Sequence, residues 1–184
     1  MKILIPFLCA IFIGGCATVE PFTLAPWTYS GNLHKRIAKA TRLRLRTGGN
    51  TCCGPKTNET TIASITDPEA LLDFARRIQF SADQIGDACF CCGGPTLEWY
   101  KKDRLLAVVS IQHWLHLRWR GHWPGDARLT NESGLWLAQW CETNGVIGAE
   151  SSFKKSLKVD QEREKLRANK TLESISDEAA SDPF

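Results

Sequence analysis

The sequence predicts a small α+β domain, an antiparallel sheet of about four to six strands with two packing helices, a common layered solution for elements with one apolar face each. Three observations lead there. Stretches such as RLRLR at 42–46 alternate apolar and polar residues, the period of a half-buried strand. Two other stretches repeat apolar residues at helical spacing, behind Thr66 and Thr130, which suit helix caps. Turn-forming residues separate the pieces, as in Thr47-Gly48-Gly49-Asn50 and Asn144-Gly145. A signal helix before this domain and a charged tail after it complete the chain.

The elements follow in order. Residues 1–15 read as a signal peptide: Met1-Lys2, an apolar run from Ile3 to Ile13, then Gly14-Gly15. That run is shorter than the roughly 20 residues a helix needs to span a bilayer. Residues 16–33, with Pro21 and Pro26, read as a tether. The globular domain is expected over 34–147. Residues 34–46 hold six Lys and Arg and no acidic residue. Within them Arg42, Arg44 and Arg46 alternate with Leu43 and Leu45, so a strand there has one basic face. That face suits either solvent or anionic lipid headgroups. Thr60 to Ile65 is rich in β-branched residues and reads as a second strand.

Thr66 and Glu69 match a capping box with Pro68 in the first turn. Leu71, Leu72, Ala75 and Ile78 then form the apolar face of a helix. Thr96 to Tyr100 reads as a strand and Lys101-Lys102-Asp103 as a turn. Residues 104–120 are apolar but too long for one strand of about 5–6 residues. A break near Gln112 to Trp114 makes them the rest of a three-stranded meander. Gly121 to Asp126 reads as a loop, and Thr130 to Thr143 as the second helix, with Trp136/Trp140 and Leu137/Cys141 at i,i+4 spacing. Residues 148–184 form the charged tail, helical over 152–172 and disordered from Ser174.

Composition bounds the function. A hydrophobic share of 43% with seven tryptophans demands a real core. A formal charge of +3 gives no ground for nucleic-acid binding. No nucleophile motif such as G-x-S-x-G is present.

The chemistry-bearing residues are cysteines. Of eight, Cys9 lies in the signal and Cys16 at its exit; Cys52, Cys53, Cys89, Cys91, Cys92 and Cys141 remain. Two cysteine-rich turns, Cys52-Cys53 and Cys89 to Cys92, are separated by a strand–helix unit that can return the chain to one end of a sheet. In an exported protein, disulfides between these turns are the first expectation. The second is a metal site, with zinc as the cofactor: Cys89 and Cys92 have C-x-x-C spacing, and Cys52 or Cys53 and a histidine would complete a tetrahedral set. The third is thiol redox chemistry at Cys89 and Cys92, for which the following Gly93-Gly94-Pro95 and strand are the wrong setting. His113 and His116 fall near the expected break among tryptophans. His113 is the candidate ligand or general base, with Asp126 as partner, against a plain packing role. Trp114, Trp119 and Trp123 suit either a binding groove or core packing.

Ile13-Gly14-Gly15-Cys16 resembles the lipobox of bacterial lipoproteins: an aliphatic residue, two small ones, then cysteine. The resemblance implies cleavage before Cys16 and lipid attached to its thiol. Ala17, where an inner-membrane retention aspartate often stands, implies the outer membrane facing the periplasm in a two-membrane cell. The runs CFCCGGPTLEWY, HLRW and GDARLTNESGLWLAQW resemble blocks in uncharacterised bacterial domains, which implies no activity. The reading that results is a lipid-anchored envelope lipoprotein with a binding or scaffolding role, no cofactor, and an envelope protein as partner. The alternative is a metal- or thiol-dependent enzyme using the Cys89–Cys92 turn and His113.

Overall fold

The alternation of Leu43 and Leu45 with three arginines gives β1 (Arg42–Arg46), with buried leucines and half-buried arginines. The remaining elements are α1 (Tyr29–Ile37), β2 (Thr61–Ile65), α2 (Pro68–Arg77), β3 (Phe80–Gly86), β4 (Thr96–Lys101), β5 (Arg104–Gln112), β6 (His116–Arg118), β7 (Asp126–Leu129), α3 (Asn131–Thr143) and α4 (Ala149–Ala180). They come from a computed structural model that describes residues 29–49, 59–86, 89, 91 and 93–180. The stretch read as a signal peptide, Cys16, Cys52, Cys53 and Cys92 lie outside the described residues. Among those described, no helix is long and apolar enough to cross a membrane.

The strands form one antiparallel sheet in the order β2-β1-β4-β5-β6-β7-β3. The α+β class therefore holds, with seven strands and four helices among the described residues where four to six strands and two packing helices were expected. The predicted meander is β4-β5-β6, and it breaks at His113 and Trp114. β7 begins on the last residue of the stretch read as a loop and runs through residues for which no element was expected.

Register divides the sheet into two faces. Leu97 and Trp99 of β4 stand beside Val109 and Ala107 of β5, and Ile111 stands beside Leu117 and then Ala127. With Leu43 and Leu45 these make an apolar face whose members are all buried. The helices cover it. Phe74 of α2 meets Trp99 below it and Trp136 and Trp140 of α3 beside it, edge to face, at 4.8–5.9 Å. Such pairs add about 0.5–1.5 kcal/mol each beyond area burial.

Caps set where the helices start. Asp67 accepts the Ala70 N–H at 2.9 Å and Pro68 occupies the first turn, one residue later than the predicted capping box. Thr130 caps α3 as expected, accepting from Ser133 N. Gly134 lets α3 approach its neighbours: a Cβ there would stand 2.8 Å from Phe153 and 2.9 Å from the Trp114 carbonyl.

The domain is longer than residues 34–147 at both ends. Leu33 of α1 is fully buried, within the stretch read as tether. Ala149 and Phe153 of α4 are also core residues. α4 then runs as one helix to Ala180, past Ser174, where disorder was expected. Truncating Phe74 to Ala should cost about 3–5 kcal/mol in a urea titration. A loss below about 1 kcal/mol would contradict its place at the centre of the core.

Candidate thiol site

The opposite face of the sheet is polar and buried. Thr96 and Glu98 of β4, Ser110 and Gln112 of β5, Arg118 of β6 and Asp126 of β7 are each under a tenth exposed. Ser110, Arg118 and Asp126 lie in one row across three strands. Buried polar groups must find partners or cost stability. Thr96 and Glu98 find theirs at Gly48 and at the β1 arginines, whereas Gln112, Arg118 and Asp126 reach the segment between β3 and β4 that carries the cysteines.

Arg118 is the hub. Its Nε and Nη2 donate to the two carboxylate oxygens of Asp126 at 2.6 and 2.7 Å. Its Nη1 donates to the Cys91 carbonyl at 2.8 Å, and its Nη2 to the Cys89 carbonyl at 2.7 Å. Asp126 in turn accepts the Cys89 N–H at 3.2 Å. The backbone of Cys89 and Cys91 is thus pinned to the sheet by an ion pair, independently of the sulfurs. A buried pair of this kind holds firmly only when further hydrogen bonds complete its geometry, as here.

The sulfurs of Cys89 and Cys91 meet in close contact, as in a disulfide, with their Cα atoms 5.4 Å apart. His113 reaches them from the β5–β6 turn, its Nε2 3.6 Å from Cys89 Sγ and 3.4 Å from Cys91 Sγ. Arg118 Nη2 lies 3.6 Å from Cys89 Sγ. Gln112 Oε1, on a fully buried side chain, lies 2.9 Å from Cys91 Sγ and 3.6 Å from Cys89 Sγ. The Gln112 amide is held from its other end, Nε2 donating to Ser110 Oγ at 2.8 Å. A disulfide carries no S–H, so Gln112 Oε1 faces the bridge as an acceptor that the sulfurs leave without a proton. Cys89, Cys91 and His113 are the described group whose ligand atoms lie close enough, within 4.8 Å, to share a metal ion.

Two backbone features build the site. His113 and Trp114 both have positive φ, 51° and 63°. Side chains other than Gly rarely adopt that conformation, and its cost is borne most often at functional sites. Gly93, at φ 67°, sits where a Cβ would collide with the Gln112 amide. Glycine there lets the loop close over Gln112.

A cavity of about 260 Å³ opens beside the turn, lined by His113, Leu115, His116 and residues of α4 including Lys155, Asp160 and Arg163. Burial, then the nearby Arg128 charge, holds His116 below the usual histidine range, with Asp126 and Asp160 opposing. Arg128 is paired with Asp160 at 2.7 Å.

This geometry decides several expectations. The described bridge joins two cysteines of one turn, not one turn to the other. Cys141 is not part of any bridge: it is a free thiol, fully buried on α3, and burial pushes its ionisation far up. Asp126 serves Arg118 and Cys89 in place of His113. Trp114, Trp119 and Trp123 are core residues, each less than a tenth exposed. The arginines of β1 are committed within the sheet. Arg44 and Arg46 pair with Glu98, Arg46 also with Glu59, and Arg42 stacks over Tyr100. Burial alone would raise Glu98, but hydrogen bonds from Tyr100, Arg46 and Arg44 outweigh it and hold the carboxyl below its usual range. Gln112 and Arg118 were missed as site residues. The signal was a polar residue at each flank of an apolar run, which reads equally as a strand end.

Compared with known protein families, curated proteins and solved structures, the chain has no match.

Replacing Arg118 by Met should cost about 3–5 kcal/mol, because it strands the buried Asp126 carboxylate and two carbonyls. A denaturation midpoint within error of the parent would refute the clamp. His116 is more basic in the unfolded chain than in the folded one. Its contribution to stability is therefore present above about pH 6.5 and shrinks as pH falls through that unfolded value. An NMR titration should place the His116 midpoint below that of a model peptide; a midpoint above it would reverse the sign.

Proposed function

We propose that the chain is a lipid-anchored envelope protein, attached through Cys16, whose folded domain carries a thiol–disulfide exchange centre at Cys89, Cys91 and His113. The observation that carries this reading is the disulfide itself, flanked by an imidazole and a guanidinium. A bridge over one intervening residue makes a poor staple. By chain entropy it contributes roughly half of what a bridge closing about 15 residues does. A binding or scaffolding role without chemistry is therefore the second reading.

The exchange follows from the neighbours. A thiolate of a substrate dithiol attacks Cys91 Sγ. The S–S bond breaks and Cys89 leaves as a thiolate beside the Arg118 cation, a setting that favours thiolates. His113, having taken the proton of the attacking thiol, passes it to that sulfur. The second substrate thiol then gives its proton to His113 and displaces Cys91, which takes that proton up in turn. Two electrons and two protons have passed to the protein, and the substrate is left as a disulfide. The Arg118–Asp126 clamp holds the backbone through both steps.

Equilibration of the full chain in glutathione buffers tests this. The Cys89–Cys91 bridge should open within the range of catalytic dithiols, whereas structural disulfides lie below about −300 mV and resist. A bridge that resists every such buffer makes the cysteines structural. His113→Ala should slow exchange with a dithiol peptide by about 100-fold without changing the fold. Cys16→Ala should release the chain from the membrane fraction; unchanged attachment would sink the lipid anchor.

A further inference from the structure

The same two sulfurs and imidazole invite a different ligand once the bridge is open. We propose that the reduced site binds zinc, through Cys89 Sγ, Cys91 Sγ and His113 Nε2, with Gln112 Oε1 facing the fourth position. The inference requires a reducible bridge, as the exchange reading does, but not that exchange be its function.

Distances carry the argument. Zinc holds thiolate sulfur at about 2.3 Å and imidazole nitrogen at about 2.0–2.1 Å, so in a tetrahedron a ligating sulfur and nitrogen stand about 3.5 Å apart. His113 Nε2 already stands 3.6 and 3.4 Å from the two sulfurs. Gln112 Oε1 stands 3.6 Å from one and 2.9 Å from the other. Two edges must change for these bond lengths: the sulfurs have to part to about 3.8 Å, and Cys91 Sγ has to draw back from Gln112 Oε1 to about 3.5 Å. Breaking the S–S bond permits both by side-chain rotation, with the Cα atoms left 5.4 Å apart. Arg118 and Asp126 grip the carbonyls and the Cys89 N–H, not the sulfurs, so the backbone needs no rearrangement.

The donor chemistry agrees. Two thiolates offset the charge of a divalent ion, and sulfur with imidazole selects zinc over magnesium or calcium. Gln112 supplies the independent observation. It is fully buried, its amide nitrogen is fixed by Ser110, and its oxygen points at the sulfurs. Among the described residues that oxygen has no proton donor when the sulfurs are bonded. A metal ion, or a thiol proton, gives it a partner. Ser110 then orients the outer end of the amide, as groups behind metal ligands commonly do. This set replaces the Cys89–Cys92 pair suggested by C-x-x-C spacing with Cys89 and Cys91.

The experiment uses the full chain in detergent, reduced with a phosphine and titrated anaerobically with zinc, then with cobalt as a spectroscopic probe. The expected result is one equivalent bound, with thiolate-to-cobalt charge transfer and the intense visible bands of a tetrahedral ion. Cys89→Ser or Cys91→Ser should abolish both. His113→Ala should weaken zinc binding at least about ten-fold, since even loss of an outer partner costs about 10–100-fold. Cys92→Ser should leave binding unchanged; loss there instead, with Cys91→Ser silent, would overturn the ligand set. A reduced protein that exchanges disulfides yet takes up no zinc overturns this inference alone. A bridge that cannot be reduced in the folded protein overturns both readings. Parent-like denaturation midpoints show that each variant has folded.

Discussion

The architecture depends on one buried ion pair. Arg118 and Asp126 face each other across neighbouring strands on the polar side of the sheet, and each also holds the cysteine segment. Charges so far from water are costly unless every lone pair and proton is used. Here the leftover donors of the guanidinium go to the carbonyls of Cys89 and Cys91, and the carboxylate takes the Cys89 N–H. Satisfying the pair and positioning the thiols are therefore the same act. A loop that would otherwise cross the sheet freely is fixed at both cysteines.

The two faces of the sheet divide the work. One face is apolar and sealed by α1, α2 and α3, with Phe74 meeting three tryptophans. That side supplies the stability which lets the other side bury Thr96, Glu98, Ser110, Gln112, Arg118 and Asp126. The β5–β6 turn links the two: Trp114 enters the core while its neighbour His113 projects toward the sulfurs, both at positive φ. Anchoring the tryptophan holds the histidine in place.

Much of the fold was legible because local signals agreed. RLRLR could only alternate, Thr130 could only cap, and the long apolar run from Arg104 had to break where His113 and Trp114 turn. β3 escaped because FSADQIG has no clean alternation, and β7 because four residues, DARL, are too few to show one. α4 escaped as a docked element because only its first turns, at Ala149, Phe153 and Leu157, pack on the core. The site was half legible. Cysteine density and His113 marked it, but spacing singled out Cys89 with Cys92, which lies outside the described residues, and gave no reason to pair Cys91 with His113. Gln112 and Arg118 gain their meaning only through strand register, which places them on one face with Asp126.

Peptide mapping without reduction addresses the central claim most directly. Trypsin cutting after Arg77 and Lys101 releases the segment 78–101, which holds Cys89, Cys91 and Cys92. After free thiols are blocked in the native protein, fragmentation should locate a bond between Cys89 and Cys91, whatever Cys92 carries. Cys89 or Cys91 found joined to Cys52 or Cys53 would contradict it, and the turn would then be a staple, not a reactive centre.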